Sequence, residues 1–212
     1  TEPSIDPENP NRIYVGAQRS GVFYTLDGAE TWTMERVAPF PGKVHFVYAA
    51  GATTPVMYMD GSAGINGLQR SDDNGLTWAQ KMPDGYNSWI TTRGIDRRAA
   101  VDSAAPDLVY LGLCSGQAID PQMGLYKSTN RGDFWTQIPA TAGMHVRSVA
   151  VEPGNPNHVV IGSADGYVRT STDGGVTWSA SVLVDAPGDP PALTDVDRLV
   201  ISPFQVDGTR RI

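Results

Sequence analysis

The sequence predicts an all-β protein, a β-propeller built from four-stranded antiparallel blades. Three observations lead there. An eight-residue phrase ending in tryptophan recurs four times, short β-branched and aromatic runs flank every copy, and turn formers punctuate the whole chain. The copies are Thr25–Trp32, Ser71–Trp78, Ser128–Trp135 and Ser171–Trp178, with tryptophans 46, 57 and 43 residues apart in a chain of 212. Each step is the length of a small sheet with its turns. Repetition at such a period marks stacked copies of one supersecondary unit.

Within each repeat the strands follow in order. A first strand closes in a turn, as in Val149-Ala-Val-Glu-Pro-Gly-Asn-Pro-Asn157. Second strands are read at Ile13–Gly16, Val56–Met59, Leu108–Gly112 and Val159–Gly162, and third strands at Gly21–Tyr24, Gly67–Arg70, Gly124–Lys127 and Tyr167–Thr170. The tryptophan phrase then turns the chain into a fourth strand. Short β-branched and aromatic runs bounded by Gly, Pro, Asn and Asp are strand signals, and no sustained helical period competes with them. The blades fall at approximately 1–36, 43–82, 97–138 and 146–183. Residues 198–212 replay a first strand and its turn, with Arg211-Ile212 matching Arg12-Ile13. This predicts part of a larger propeller, or one completed by another segment or chain. The alternative is a four-bladed ring in which residues 198–203 close the exposed sheet edge.

Composition narrows the function classes. Charged residues make up 18% and the net charge is −7, which argues against a nucleic-acid partner, since phosphate binding needs concentrated Lys and Arg. Cys114 is the single cysteine, so no internal disulfide forms and no cysteine-based metal site exists. No run approaches the roughly 18 apolar residues of a membrane span. The chain starts at Thr1 with no signal peptide, which predicts a leader already removed or a piece of a longer protein. His45, His145 and His158 stand in separate repeats without metal-ligand spacing, and neither a metal nor a cofactor is expected.

The tryptophan phrase matches the pattern Ser/Thr-x-Asp-x-Gly-x-Thr-Trp. Asp27, Asp73, Asn130 and Asp173 occupy its third position, and Trp32, Trp78, Trp135 and Trp178 its last. The first copy departs at Ala29, and the third at Asn130 and Phe134. A carboxylate there can bond the turn's own N–H groups, a glycine tolerates positive φ, and the tryptophan can fill the space between sheets. An active site is needed once, whereas a fold device is needed in every blade. The four carboxyl or amide groups are therefore read as turn clips rather than calcium or catalytic sites.

In these phrases the chain resembles the Asp-box (BNR-repeat) propeller superfamily, which includes sialidases, xyloglucan-hydrolysing enzymes, sortilin-type receptors and photosystem II assembly-factor-like propellers. The stretch Arg97–Gly112 followed by Gly124–Ser128 resembles the xyloglucanase group most. The resemblance implies an extracytoplasmic protein that binds a polysaccharide on the rim opposite the phrases, or a scaffold that binds a protein partner. That rim would hold Trp89, Tyr86, Arg93 and Arg19 as ligand contacts and Asp165, Asp60 and Asp120 as candidate catalytic carboxylates, with Asp96, Asp195 and Asp197 nearby. Glycoside hydrolysis uses two such groups across the scissile bond. Where the xyloglucanase group carries a catalytic Asp in its first such loop, this chain has Gln18.

Overall fold

A computed structural model describes residues 3–17, 21–35, 41–49, 51–61, 67–85, 99–102, 105–114 and 121–184. It consists of four antiparallel sheets of four strands each. The first holds β1 (Ser4–Ile5), β2 (Ile13–Ala17), β3 (Gly21–Thr25) and β4 (Thr33–Glu35), and the second β5 (Pro41–Val47), β6 (Val56–Gly61), β7 (Leu68–Ser71) and β8 (Ala79–Gln80). The third holds β9 (Ala99–Asp102), β10 (Ala105–Leu113), β11 (Gly124–Ser128) and β12 (Thr136–Gln137), and the fourth β13 (Val146–Glu152), β14 (Asn155–Ser163), β15 (Tyr167–Ser171) and β16 (Val182–Leu183). Every sheet is a simple meander in chain order. Among the described residues one 3-10 turn, Pro139–Thr141, interrupts the β structure. The all-β propeller predicted from the sequence is the fold observed.

The period of two explains why these sheets stack. On β6, Met57 and Met59 pack with Tyr14 and Val22 of the first sheet, while Val56 and Tyr58 pack with Val109, Leu111 and Leu113 of the third. On β10, Tyr110 points the other way and packs with Val149, Val159 and Ile161 of the fourth sheet. Alternate side chains leave opposite faces of a strand, so a sheet covered on both sides needs apolar residues at consecutive positions. Residues 56–59, 109–113 and 159–162 meet that need and are buried throughout.

Each tryptophan phrase forms the hairpin from third to fourth strand. Its first-position hydroxyl is buried and accepts a backbone N–H four residues on: Ala29 to Thr25 (3.0 Å), Gly75 to Ser71, Gly132 to Ser128 and Gly175 to Ser171 (each 2.8 Å). The same hydroxyl donates to Oδ1 of the third-position residue, Asp27, Asp73, Asn130 or Asp173. That Oδ1 also accepts the N–H of Thr31, Thr77, Phe134 or Thr177. The side chains thus fold the backbone over, in place of a ladder. Positions four and five are both left-handed, as at Asn74 and Gly75 (φ 61° and 84°) or Gly174 and Gly175 (φ 71° and 94°).

Sheets meet at the hairpins. The fourth-position carbonyl accepts from the preceding sheet: Tyr14 Oη to Asn74 O (2.9 Å), Arg70 to Arg131 O (2.8 Å), and Tyr110 Oη and Lys127 Nζ to Gly174 O (both 3.3 Å). Burial raises the Tyr14 and Tyr110 hydroxyls to a pKa of about 12, which keeps them protonated as donors. A Cβ on Gly75 would lie 2.7 Å from Tyr14 Oη, and one on Gly175 2.5 Å from Ile138 Cδ1. Ala29 holds the same left-handed conformation, φ 80°, on the first sheet, which among the described residues has no sheet before it. Trp32 shares that position and is 44% exposed, against 8% for Trp135. Trp78, Trp135 and Trp178 each pack into the joint with the preceding sheet.

Two outcomes follow. In urea denaturation, Gly75→Ala is expected to lose about 2 kcal/mol or more, because left-handed strain and a clash with Tyr14 combine. Ala29→Gly, which relieves strain at an uncrowded site, is expected to shift stability by less than about 1 kcal/mol. Equal losses at the two positions would contradict this. The clasps also titrate. Hydroxyl bonds from Thr25 and then Thr31 lower the Asp27 pKa to about 2, and bonds led by Thr177 lower that of Asp173 to about 2. Folding depresses both, so the stability they add is present above the ordinary carboxyl value and is lost as pH falls from about 4 to about 2. Carbon-detected NMR titration of the intact protein should give Asp27 and Asp173 midpoints near 2, and midpoints near 4 would refute the clasp geometry.

Candidate functional site

In a four-stranded meander, the turns after first and third strands lie on one rim and those after second and fourth strands on the other. The hairpin rim is occupied by its own structure. Asp27 and Asp173 are held ionised to a pKa of about 2 and Asp73 is also lowered, first by the Thr77 hydroxyl. A general acid must carry a proton near working pH. These three carboxylates do not.

The first turns on the same rim are also spent on structure. Asp6 is buried, pairs with Arg12 at 3.1 Å and accepts from the Tyr48 hydroxyl at 2.8 and 2.9 Å. Arg12 also donates to Asn74 across the first joint at 2.9 Å. In the fourth sheet, Glu152 takes the corresponding place, with His158 Nδ1 at 2.7 Å and Asn155 Nδ2 at 3.0 Å. The parallel is written in Asp6-Pro-Glu-Asn-Pro-Asn-Arg12 and Glu152-Pro-Gly-Asn-Pro-Asn-His158, a signal the tryptophan phrases overshadow. Among the described residues no group of three or more His, Cys, Asp or Glu could hold a metal ion.

The opposite rim is where the remaining candidates stand. Asp165 sits exposed in the turn between β14 and β15. The Ser163 hydroxyl lies against both Asp165 Oδ1 and the Tyr167 carbonyl, and with one proton it donates to one at a time. Gly166 N donates to Ser163 O (3.2 Å) and Val184 N to Gly166 O (3.0 Å), so the turn is pinned from two sides. Asp60 lies on β6, paired with Leu68. Its side chain, together with Asp120, Trp89, Tyr86, Arg93, Arg19 and Gln18, lies outside the described residues, as do Asp96, Asp195 and Asp197. The described geometry therefore brings no two of the predicted catalytic carboxylates together.

Two further residues share this rim. The Ala164 N–H donates to the His145 carbonyl at 3.0 Å, which seats His145 beside the Asp165 turn. Asp84 follows β8, where Gln122 donates to the neighbouring Gly85 carbonyl at 3.3 Å. Both occupy loops after fourth strands, and that placement was the available signal for them. What the arrangement offers chemically is exposed carboxylates and one imidazole on successive blades, facing away from the hairpins.

No family model matches the chain. Among curated proteins it is similar to a xyloglucanase of Hypocrea jecorina, 28% identical over 192 residues that cover 77% of this chain and 21% of that protein. It is also similar to the xyloglucanase Xgh74A of Acetivibrio thermocellus, 27% identical over 222 residues that cover 85% of this chain and 25% of that protein. The chain thus spans a fifth to a quarter of the curated relatives it matches. Among solved structures, its fold matches the GH74 xyloglucanase from Xanthomonas campestris with a TM-score of 0.62 at 21% identity, covering 88% of this chain and 30% of that one. It also matches YCF48 from Cyanidioschyzon merolae with a TM-score of 0.51 at 14% identity, covering 87% of this chain and 56% of that one. The chain is therefore a β-propeller whose curated relatives are xyloglucanases.

Proposed function

We propose that the chain is part of an extracytoplasmic Asp-box propeller of the glycoside-hydrolase type, which engages a polysaccharide on the rim opposite the tryptophan hairpins. The observation that carries this reading is the similarity to xyloglucanases over 77% and 85% of the chain. The hairpin rim, with its carboxylates committed to clasps, supports placing the ligand on the other side. There Trp89 and Tyr86 stack on sugar rings, while Arg93 and Arg19 donate to hydroxyls. Flat aromatic faces suit the apolar faces of pyranose rings.

Hydrolysis of the glycosidic bond takes one carboxylic acid to protonate the leaving oxygen and a second carboxylate as nucleophile or base. Asp165 is assigned to one of these roles, with Asp60 and Asp120 as the candidates for the other. The Ser163 hydroxyl beside Asp165 would hold that carboxyl in place. A second reading is a non-catalytic scaffold that binds a protein partner. It is favoured by the neutral amide of Gln18 at a position where xyloglucanases carry a catalytic Asp.

Calorimetry and reducing-end assays on the intact protein with xyloglucan and related β-glucans decide between them. The first reading expects saturable binding that Trp89→Ala weakens about tenfold or more, and hydrolysis that Asp165→Asn lowers at least about a hundredfold. Normal hydrolysis in Asp165→Asn would remove that residue from catalysis. Blank binding and hydrolysis, with a stoichiometric protein partner co-purifying, would replace the first reading by the second.

A further inference from the structure

A cavity of about 550 Å³ opens between the third and fourth sheets, bounded by the hairpin at Gly174, Gly175 and Val176 on one side and by β12 with the turn that follows it on the other. Its apolar walls come from Phe134, Ile138, Pro139, Ala140 and Val176, and Lys127 supplies a cation. Ligand sites of small molecules have this size and this mixture, mostly apolar with few fixed polar groups.

One residue that builds it, Phe134, departs from the repeat. Phe134 stands where the other hairpins carry Thr31, Thr77 and Thr177, whose hydroxyls bond the third-position carboxylate. Asn130 replaces that carboxylate in the same hairpin, so both ends of the missing bond change together. The backbone bond survives, from Phe134 N to Asn130 Oδ1 at 2.9 Å. The clasp therefore does not need the phenyl ring, which is 63% exposed at the cavity. Val176, across the joint, is 75% exposed. Both exposed apolar side chains line the same cavity.

Lys127 sets the charge. Its Nζ lies 3.3 Å from the Gly174 carbonyl and 5.5 Å from the Tyr110 ring centroid. Among the described residues it makes no ion pair with a carboxylate. An ammonium that makes no carboxylate pair among the described residues, set beside apolar walls, is complementary to an anion with an apolar body.

We propose that this cavity is a binding site for a small amphiphilic anion, an aromatic or aliphatic carboxylate whose body packs on Phe134 and Val176 and whose charge meets Lys127. The site is independent of the polysaccharide reading. Isothermal titration with 2-naphthoate and its neutral counterpart 2-naphthalenemethanol tests it on the intact protein. Saturable, one-to-one binding of naphthoate is expected, at least about tenfold tighter than the alcohol. Val176→Asp and Phe134→Thr, both at exposed positions, should each weaken naphthoate at least about tenfold without moving the thermal midpoint. Absence of saturable binding, equal affinity for the two compounds, or unchanged affinity in both variants would overturn the proposal.

Discussion

The structure depends on a clasp of two side chains that holds two consecutive residues in the left-handed region. Left alone, a residue such as Asn74, Arg131 or Ala29 resists that conformation. The buried Ser or Thr hydroxyl and the Asp or Asn oxygen compensate by taking N–H groups that no strand partner can reach. The result is a fourth-position residue held rigidly at the hairpin tip, with bonds in two directions. In the first, third and fourth sheets its N–H bonds its own sheet, to Asn11, Asp107 and Asn157. In the second, third and fourth hairpins its carbonyl takes a donor from the sheet before. A turn device has become an inter-blade latch.

That latch explains which positions tolerate variation. The donor differs from joint to joint, being Tyr14, Arg70, or Tyr110 with Lys127, because a carbonyl accepts from any of them. The glycine after it is fixed where the neighbouring sheet closes in, as at Gly75 and Gly175, and gives way to Ala29 where no described sheet does. In the second joint, Arg70 and Lys81 add charge, both reaching Asp133, whose carboxyl is lowered first by Lys81. These exposed pairs contribute modestly beside the apolar filling of the joints.

The fold was legible because each of its rules is local and repeated. Gly-Gly, Asn-Gly and Arg-Gly at the hairpin tips announce left-handed residues, and Val109–Leu113 announces a strand covered on both faces. The tryptophan burial was read correctly in kind for Trp135 and less so for Trp32, since burial depends on a neighbour that the phrase itself does not encode. The functional rim was less legible for the same reason. A catalytic carboxylate is defined by its distance to a second one, and loops from different blades set that distance without any shared period. Asp165 is visible as an acidic turn residue, but His145 enters its surroundings through the backbone bond to Ala164. Phe134 was visible as a departure, and only the facing Val176 and Lys127 gave it a chemical setting.

Hydrogen exchange of the intact protein, comparing wild type with Ser71→Ala, probes the latch most directly. The variant deletes the acceptor for the Gly75 N–H and frees the Asn74–Gly75 peptide. If the clasp holds the blades together, exchange accelerates at Gly75 and also across β2 and β3 of the preceding sheet, where Tyr14 loses its fixed acceptor. Acceleration confined to residues 71–78, with the first sheet unchanged, would mean that the clasp serves its own turn and nothing beyond it.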